Sequence, residues 1–168
     1  TLEIWKDEPR IRLKLIINRR SSLEPEVFFV KFPLGCKDAK VFISNGGHVF
    51  CPGEGQIPGT CMDYYAIDGW VYYKTDKGNW IWSAKDSPMI NFGRPMFVEK
   101  ISSLPNNMED MYAMIFDNTW DTNFVADSNG VMEFTFNLSW IKDIEQESEA
   151  AKIAQSMSLD PVVLVKVR

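Results

Sequence analysis

With 168 residues the chain is long enough for one domain with a real core, and 45% hydrophobic and 24% charged residues are ordinary values for a globular protein. A formal charge of −5 with scattered basic residues argues against a nucleic-acid partner, and no window approaches the roughly 18 consecutive apolar residues of a membrane-spanning helix. The aromatic share of 13%, with six Trp and eleven Phe, favours a mainly β fold, because flat side chains suit pleated, half-buried surfaces.

Thr1 is not an initiator Met and Glu3, Lys6, Asp7 and Glu8 follow at once, so no leader peptide is read and the chain is expected to begin inside a longer polypeptide. Residues 10–18, R-I-R-L-K-L-I-I-N, place Ile11, Leu13, Leu15 and Ile17 on one face at period two, which predicts a strand with one side buried. Arg10, Arg12, Lys14, Arg19 and Arg20 are the only local basic cluster, and they read as a solvated strand face. After a polar turn, the apolar run at 27–32 predicts a strand buried on both faces. A short strand over 39–44 is stopped by Asn45-Gly46-Gly47, and five Gly and two Pro between 46 and 59 predict a long irregular loop.

The clearest hairpin joins residues 64–75 to 79–84 through the turn Thr75-Asp76-Lys77-Gly78, with Trp70, Tyr72, Trp80 and Trp82 in alternating positions. Further strands are predicted over 89–92, 112–116 and 131–138. The segment 143–157 breaks the pattern, since Ile144, Ala151, Ile153, Ala154 and Met157 recur at helical offsets. Asp143 is read as its cap, and Glu145, Glu147 and Glu149 suit the positive helix end. A β-branched strand over 162–167 closes the chain. The expectation is one antiparallel β-sandwich domain over 1–168, of roughly nine strands, with a single helix near the C-terminus.

Catalytic chemistry finds little support. Asp117, Asp121 and Asp127 lie near one another in sequence but read as solvated turn residues rather than a glycosidase carboxylate pair. An odd count of cysteines (Cys36, Cys51, Cys61) argues against a disulfide framework. With His48 they could be read as four metal ligands, but the paired C-x₂-C spacing is missing, so no metal site is assigned. A Cys–His hydrolase built on His48 with Cys51 or Cys61, both His48 and Cys51 being expected exposed, is an alternative without an orienting carboxylate. Asn137-Leu138-Ser139 is a glycosylation sequon inside a strand-like run. Trp120, set among Asn118, Thr122 and Asn123, has the composition of a sugar-stacking loop. The plainer reading, which is preferred, makes Trp120 a corner of the core and the polar residues backbone-bonding loop groups.

The same segment, Asn118-Thr119-Trp120-Asp121-Thr122-Asn123-Phe124, resembles the N-x-W-x-T-N-[FY] signature near the C-terminus of glycoside hydrolase family 38, the α-mannosidases and their relatives. Glu26-Val27-Phe28-Phe29-Val30-Lys31-Phe32-Pro33-Leu34 is similar to that family's E-x-x-x-F-A-F-P-F strand, with Lys31 in place of a small residue. Asp68-Gly69-Trp70-Val71 and Trp80-Ile81-Trp82-Ser83-Ala84 resemble its R-W-V-D-V-S and G-V-T-L-A-T hairpin, and Asp86-Ser87-Pro88-Met89-Ile90-Asn91-Phe92-Gly93 matches D-A-P-L-V-x-F-G. The four elements occur in the family's order over roughly residues 10–140. The resemblance implies a galactose-mutarotase-like sandwich, non-catalytic by itself, that braces a catalytic α/β barrel in cis and helps shape the sugar cleft. Zinc and the nucleophilic Asp would then belong to that barrel, with no cofactor in this part of the polypeptide. Asn118, Trp120, Thr122 and Asn123 would be carbohydrate-binding or domain-interface residues. A free-standing carbohydrate-binding sandwich is the competing reading, with neither nucleic acid nor membrane as partner.

Overall fold

A computed structural model describes residues 1–95, 101–119 and 127–159. Among these, eleven strands form two antiparallel sheets of seven and four strands, and one helix follows. The larger sheet runs in spatial order β1 (Leu2–Ile4), β2 (Arg10–Arg19), β11 (Gly130–Ile141), β8 (Gly78–Ala84), β7 (Trp70–Thr75), β4 (Lys40–Asn45) and β5 (His48–Phe50). The smaller runs β3 (Val27–Pro33), β10 (Asp110–Asp117), β9 (Met89–Phe92) and β6 (Tyr65–Ala66). The helix, α1, spans Glu147–Ser158.

The period-two alternation sets the layers. Leu13, Leu15 and Ile17 of β2 stand in register with Phe136, Phe134 and Met132 of β11, and all six turn to the core between the sheets. Phe32 of β3 meets them from the smaller sheet, edge-on to Trp82 at 5.5 Å and tilted on Phe136 at 5.1 Å between ring centroids. A second core lies on the opposite face of the larger sheet. There Trp70, Tyr72 and Ile81 are covered by Ile144 and by Ala150, Ala154 and Met157 of α1. The hairpin tryptophans therefore divide: Trp80 and Trp82 face the sandwich core, Trp70 the helix.

Several expectations are corrected. The run at 27–32 is an edge strand, not one buried on both faces: Phe28 and Lys31 are exposed, and Lys31 pairs with Asp110 at 2.8 Å. The Gly-rich stretch after residue 46 is interrupted by β5, which pairs back on β4. Residues 64–75 are two strands in different sheets, because the chain crosses at Asp68-Gly69, where Gly69 takes φ +87. The helix begins at Glu147 with Gln146, in extended backbone, as N-cap, so Asp143 is not the cap; Ile144 is buried in the core beneath the helix instead. The Glu149 carboxylate reaches back to accept from the Glu145 N–H at 3.3 Å. The strand β1 was not foreseen, and the strand expected over 162–167 lies outside the described residues.

The basic cluster is not a solvated face either. Arg10 and Arg12 lie over the Trp5 ring at 4.6 and 5.0 Å and both donate to Asn137 Oδ1. Arg10 also donates to the Met157 carbonyl at 2.9 Å, supplying positive charge to a helix end whose last turn has no basic residue. Asn137 is consequently buried, which removes its sequon from the accessible surface.

The crossing at Asp68 depends on one carboxylate, which accepts from Ser44 Oγ (2.8 Å), Gly46 N (3.1 Å) and Gly47 N (2.7 Å). The Gly47 N–H and the Ser44 hydroxyl hold its pKa below the usual aspartate value, against a smaller opposing effect of burial. A depressed carboxylate pKa contributes stability that is present above the unfolded value, about 3.9, and lost as pH falls through the folded one. Asp68→Asn is therefore expected to melt below wild type at pH 7, the gap closing as both are taken well below about pH 4. Thermal melts across pH check this; a constant gap would refute it.

Candidate functional site

The described flanks of the segment, residues 117–119 and 127–130, lie at one corner of the sandwich, where the end of β2, the start of β3, the end of β10 and the start of β11 converge. Arg19 stands at its centre, only 9% exposed. Its guanidinium donates to Glu26 at 3.0 Å, to Asp127 at 3.3 Å and to the Ser128 carbonyl, and it lies over the Phe116 ring at 4.4 Å. Phe116 reaches that position through a register shift between Met114 and Phe116, which brings it to the core side and stacks it on Phe28 at 5.2 Å.

Asn118 is 8% exposed and holds the β2–β3 connection. Its Oδ1 accepts from the Glu26 N–H at 2.6 Å, and its Nδ2 donates to the carbonyls of Ser22 (3.3 Å) and Glu24 (3.0 Å). The backbone continues the ladder, Asn118 N donating to the Glu26 carbonyl at 3.1 Å. Asp117 Oδ1 accepts from Thr119 N and Thr119 Oγ1, a local turn closure. On the far side of the segment, Asp127 accepts from Ser21 Oγ (2.5 Å), Ser22 N (3.2 Å) and Asn129 Nδ2 (3.1 Å). These bonds, the Ser21 hydroxyl first, and the Arg19 charge lower its pKa.

Of the residues singled out in the sequence, Asn118 is thus a backbone-bonding group, in line with the plainer reading. Trp120, Thr122 and Asn123, with Asp121, lie outside the described residues. Asp117 and Asp127 are each committed to local partners, and Asp127, held ionised by the Ser21 hydroxyl and its other hydrogen bonds, is a poor proton donor for glycoside cleavage. Arg19 was missed as a site residue; its signal was a strand cation followed seven residues on by Glu26, too weak to separate from a solvated face.

The cysteines point away from nucleophilic chemistry. Cys51 is buried, contrary to expectation, while His48 is exposed on β5 and stacks on Phe50 at 6.4 Å. Burial, and then the Glu54 charge, push the Cys51 thiol pKa up, the wrong direction for an activated nucleophile. Cys36 is shifted the same way by burial. Cys61 is exposed. Among the described residues no cluster of His, Cys, Asp or Glu has the geometry of a metal site.

No protein-family model, no curated protein and no solved structure matches the chain.

The geometry makes Asn118 a structural brace. Truncation in Asn118→Ala leaves the Glu26 N–H and two carbonyls to find other partners and is expected to cost about 1–3 kcal/mol. Urea denaturation of the isolated domain measures it; a change within about 0.5 kcal/mol would remove the brace.

Proposed function

We propose that this chain is a non-catalytic β-sandwich domain of glycoside hydrolase family 38 type, related to the galactose-mutarotase-like sandwiches, which braces the catalytic barrel of its own polypeptide. One structural observation carries the bracing role. β1 is the edge strand of the seven-stranded sheet, and its Leu2 and Ile4, in register with Leu13 and Ile11 on the core-side face, are 59% and 70% exposed. An apolar strand edge left open on the core-side face suits burial against another domain. The family assignment itself is supported by the four sequence elements in order. The signature's flanking groups, Asn118 and Asp127, are both tied to the β2–β3 connection, so that the segment between them is held at its two ends.

On this reading the domain supplies stability and a wall of the cleft, while hydrolysis of an α-mannoside-like glycoside, with its zinc and its nucleophilic aspartate, belongs to the barrel. The isolated chain is expected to hydrolyse no p-nitrophenyl α-D-mannopyranoside and to bind no stoichiometric zinc. The polypeptide carrying the residues upstream of Thr1 is expected to hydrolyse it in a zinc-dependent manner. Absence of an α/β barrel with paired His and Asp ligands upstream would sink the assignment.

Within that larger polypeptide, Trp120→Ala separates bracing from sugar contact. Bracing predicts a loss of about 3–5 kcal/mol with kcat/KM nearly unchanged, measured at a temperature where the variant is still folded. Sugar contact predicts unchanged melting and a fallen kcat/KM.

A further inference from the structure

At the opposite end of the sandwich from the Arg19 corner lies a groove of about 400 Å³, formed between the β3–β4 connection and the β7–β8 turn. Strand β11 joins the two ends: Gly130 pairs with Arg19, and Trp140 comes ten residues later, about 33 Å away at ~3.3 Å per residue. The volume falls within the range of small-molecule sites.

Two tryptophans form the apolar part of this groove. Trp140 and Trp80 are directly opposed on neighbouring strands, so their side chains leave the same face of the sheet. Trp80 is half-buried against the core, whereas Trp140 remains 40% exposed. The turn is shaped around the Trp140 indole. A Cβ at Gly78 would lie 2.6 Å from Trp140 Nε1 and 2.7 Å from its Cε2 and Cζ2, and Gly78 takes φ +143. Thr75 Oγ1 donates to the Gly78 carbonyl and accepts from Lys77 N at 3.2 Å, which fixes the turn that carries the glycine. The indole is therefore pressed against backbone on one side and open on the other, the arrangement a stacking platform requires.

The rim is charged but balanced. Lys37 and Asp38 from one wall and Asp76 and Lys77 from the other are exposed, and no ion pair joins any of them to a described residue. Two carboxylates and two ammonium groups around an indole offer acceptors and donors with no net charge, which favours a neutral ligand over a cation or an anion. An apolar ligand would leave those groups unpaired, and the open groove would bury too little of it. A pyranose combines a C–H face for the indole with a hydroxyl edge for the rim.

We propose that this groove is a saccharide subsite in which a pyranose ring stacks on Trp140 and its hydroxyls bond to Asp38, Asp76, Lys37 and Lys77. The inference goes beyond the bracing role and does not rest on the family reading. It places sugar contact on the domain itself, at the end away from the signature segment.

The test uses the isolated 168-residue chain, methyl α-D-mannopyranoside, methyl β-D-glucopyranoside and methyl β-D-galactopyranoside as probes, and the assigned indole N–H signals by NMR. At least one probe is expected to shift the Trp140 signal saturably. Trp140→Phe should retain most of the affinity, and Trp140→Ala should weaken it by at least about fivefold. Asp76→Asn should weaken it at unchanged melting temperature, which keeps the test decisive should Trp140→Ala fail to fold. The proposal is overturned if no probe moves Trp140 saturably, if Asp76→Asn or a folded Trp140→Ala, followed through the Trp80 indole signal, binds as wild type does, or if a proline-rich peptide titrates Trp140 while the glycosides do not.

Discussion

Strands β7 and β8 are covered on both of their faces, and the two halves of the protein are built onto them. Toward the smaller sheet they present Val71, Tyr73 and Trp82; toward the helix they present Trp70, Tyr72 and Ile81. Burying each large aromatic yields about 4–6 kcal/mol of gross transfer free energy, enough to tolerate imperfect polar pairing nearby. Trp82 Nε1 and Ser83 Oγ are buried with no hydrogen-bond partner among the described residues, a loss of about 1–3 kcal/mol for each group left unpaired. Elsewhere the polar groups of the hairpin are used well. Tyr72 donates to Asn79 Oδ1, and Asn79 Nδ2 donates onward to the carbonyls of Ile141 and Lys142. That relay ties the hairpin to the end of β11, and so fixes where the chain leaves the sheet to lay α1 across it.

A different physics governs the Arg19 corner. A buried guanidinium with carboxylates on two sides adds little net stability over an apolar filler, since desolvation consumes most of the attraction. Its value here is positional. The ion pairs and the Asn118 bonds join three stretches distant in sequence, at residues 19–26, 116–119 and 127–130, in one arrangement. An apolar cluster of the same volume would accept several loop paths, whereas the planar guanidinium fork over Phe116 accepts few. A segment whose two ends must be held in fixed places is better served by the ionic corner.

What the sequence disclosed follows the length of each element. Strands β2 and β11 carry enough alternation for period two to show, because one register buries their apolar set and the next exposes it. Strands β1, β5 and β6 have two or three residues, too few for any period, and they are set by pairing to long neighbours. The apolar run of β3 carries no mark of its edge position, since hydrophobicity records burial of side chains and not the absence of a neighbouring strand. The helix was visible from composition, but Ile144 is buried in the core it shares with Trp70, Tyr72 and Ile81, a tertiary choice that overrode the local cap. Arg19 and Trp140 escaped for a shared reason: each lies at the end of a strand, where alternation ceases to say which side is in.

A β-sandwich separates its two ends by the length of its strands, and this chain uses that separation. At one end the backbone is locked by ionic and amide bonds about the signature segment; at the other a glycine turn exposes an indole. Between them lies a close-packed core of Phe32, Trp82, Phe134 and Phe136, with Phe136 tilted on both Phe32 and Trp82. Coupling between sites needs an element with two states, and a core of this kind is a spacer rather than a switch. The two ends are therefore free to serve different contacts without interference. On the proposed bracing role, a ligand at the Trp140 groove would add to that contact by linked attachment, through effective concentration, and not by altering the geometry of the far corner.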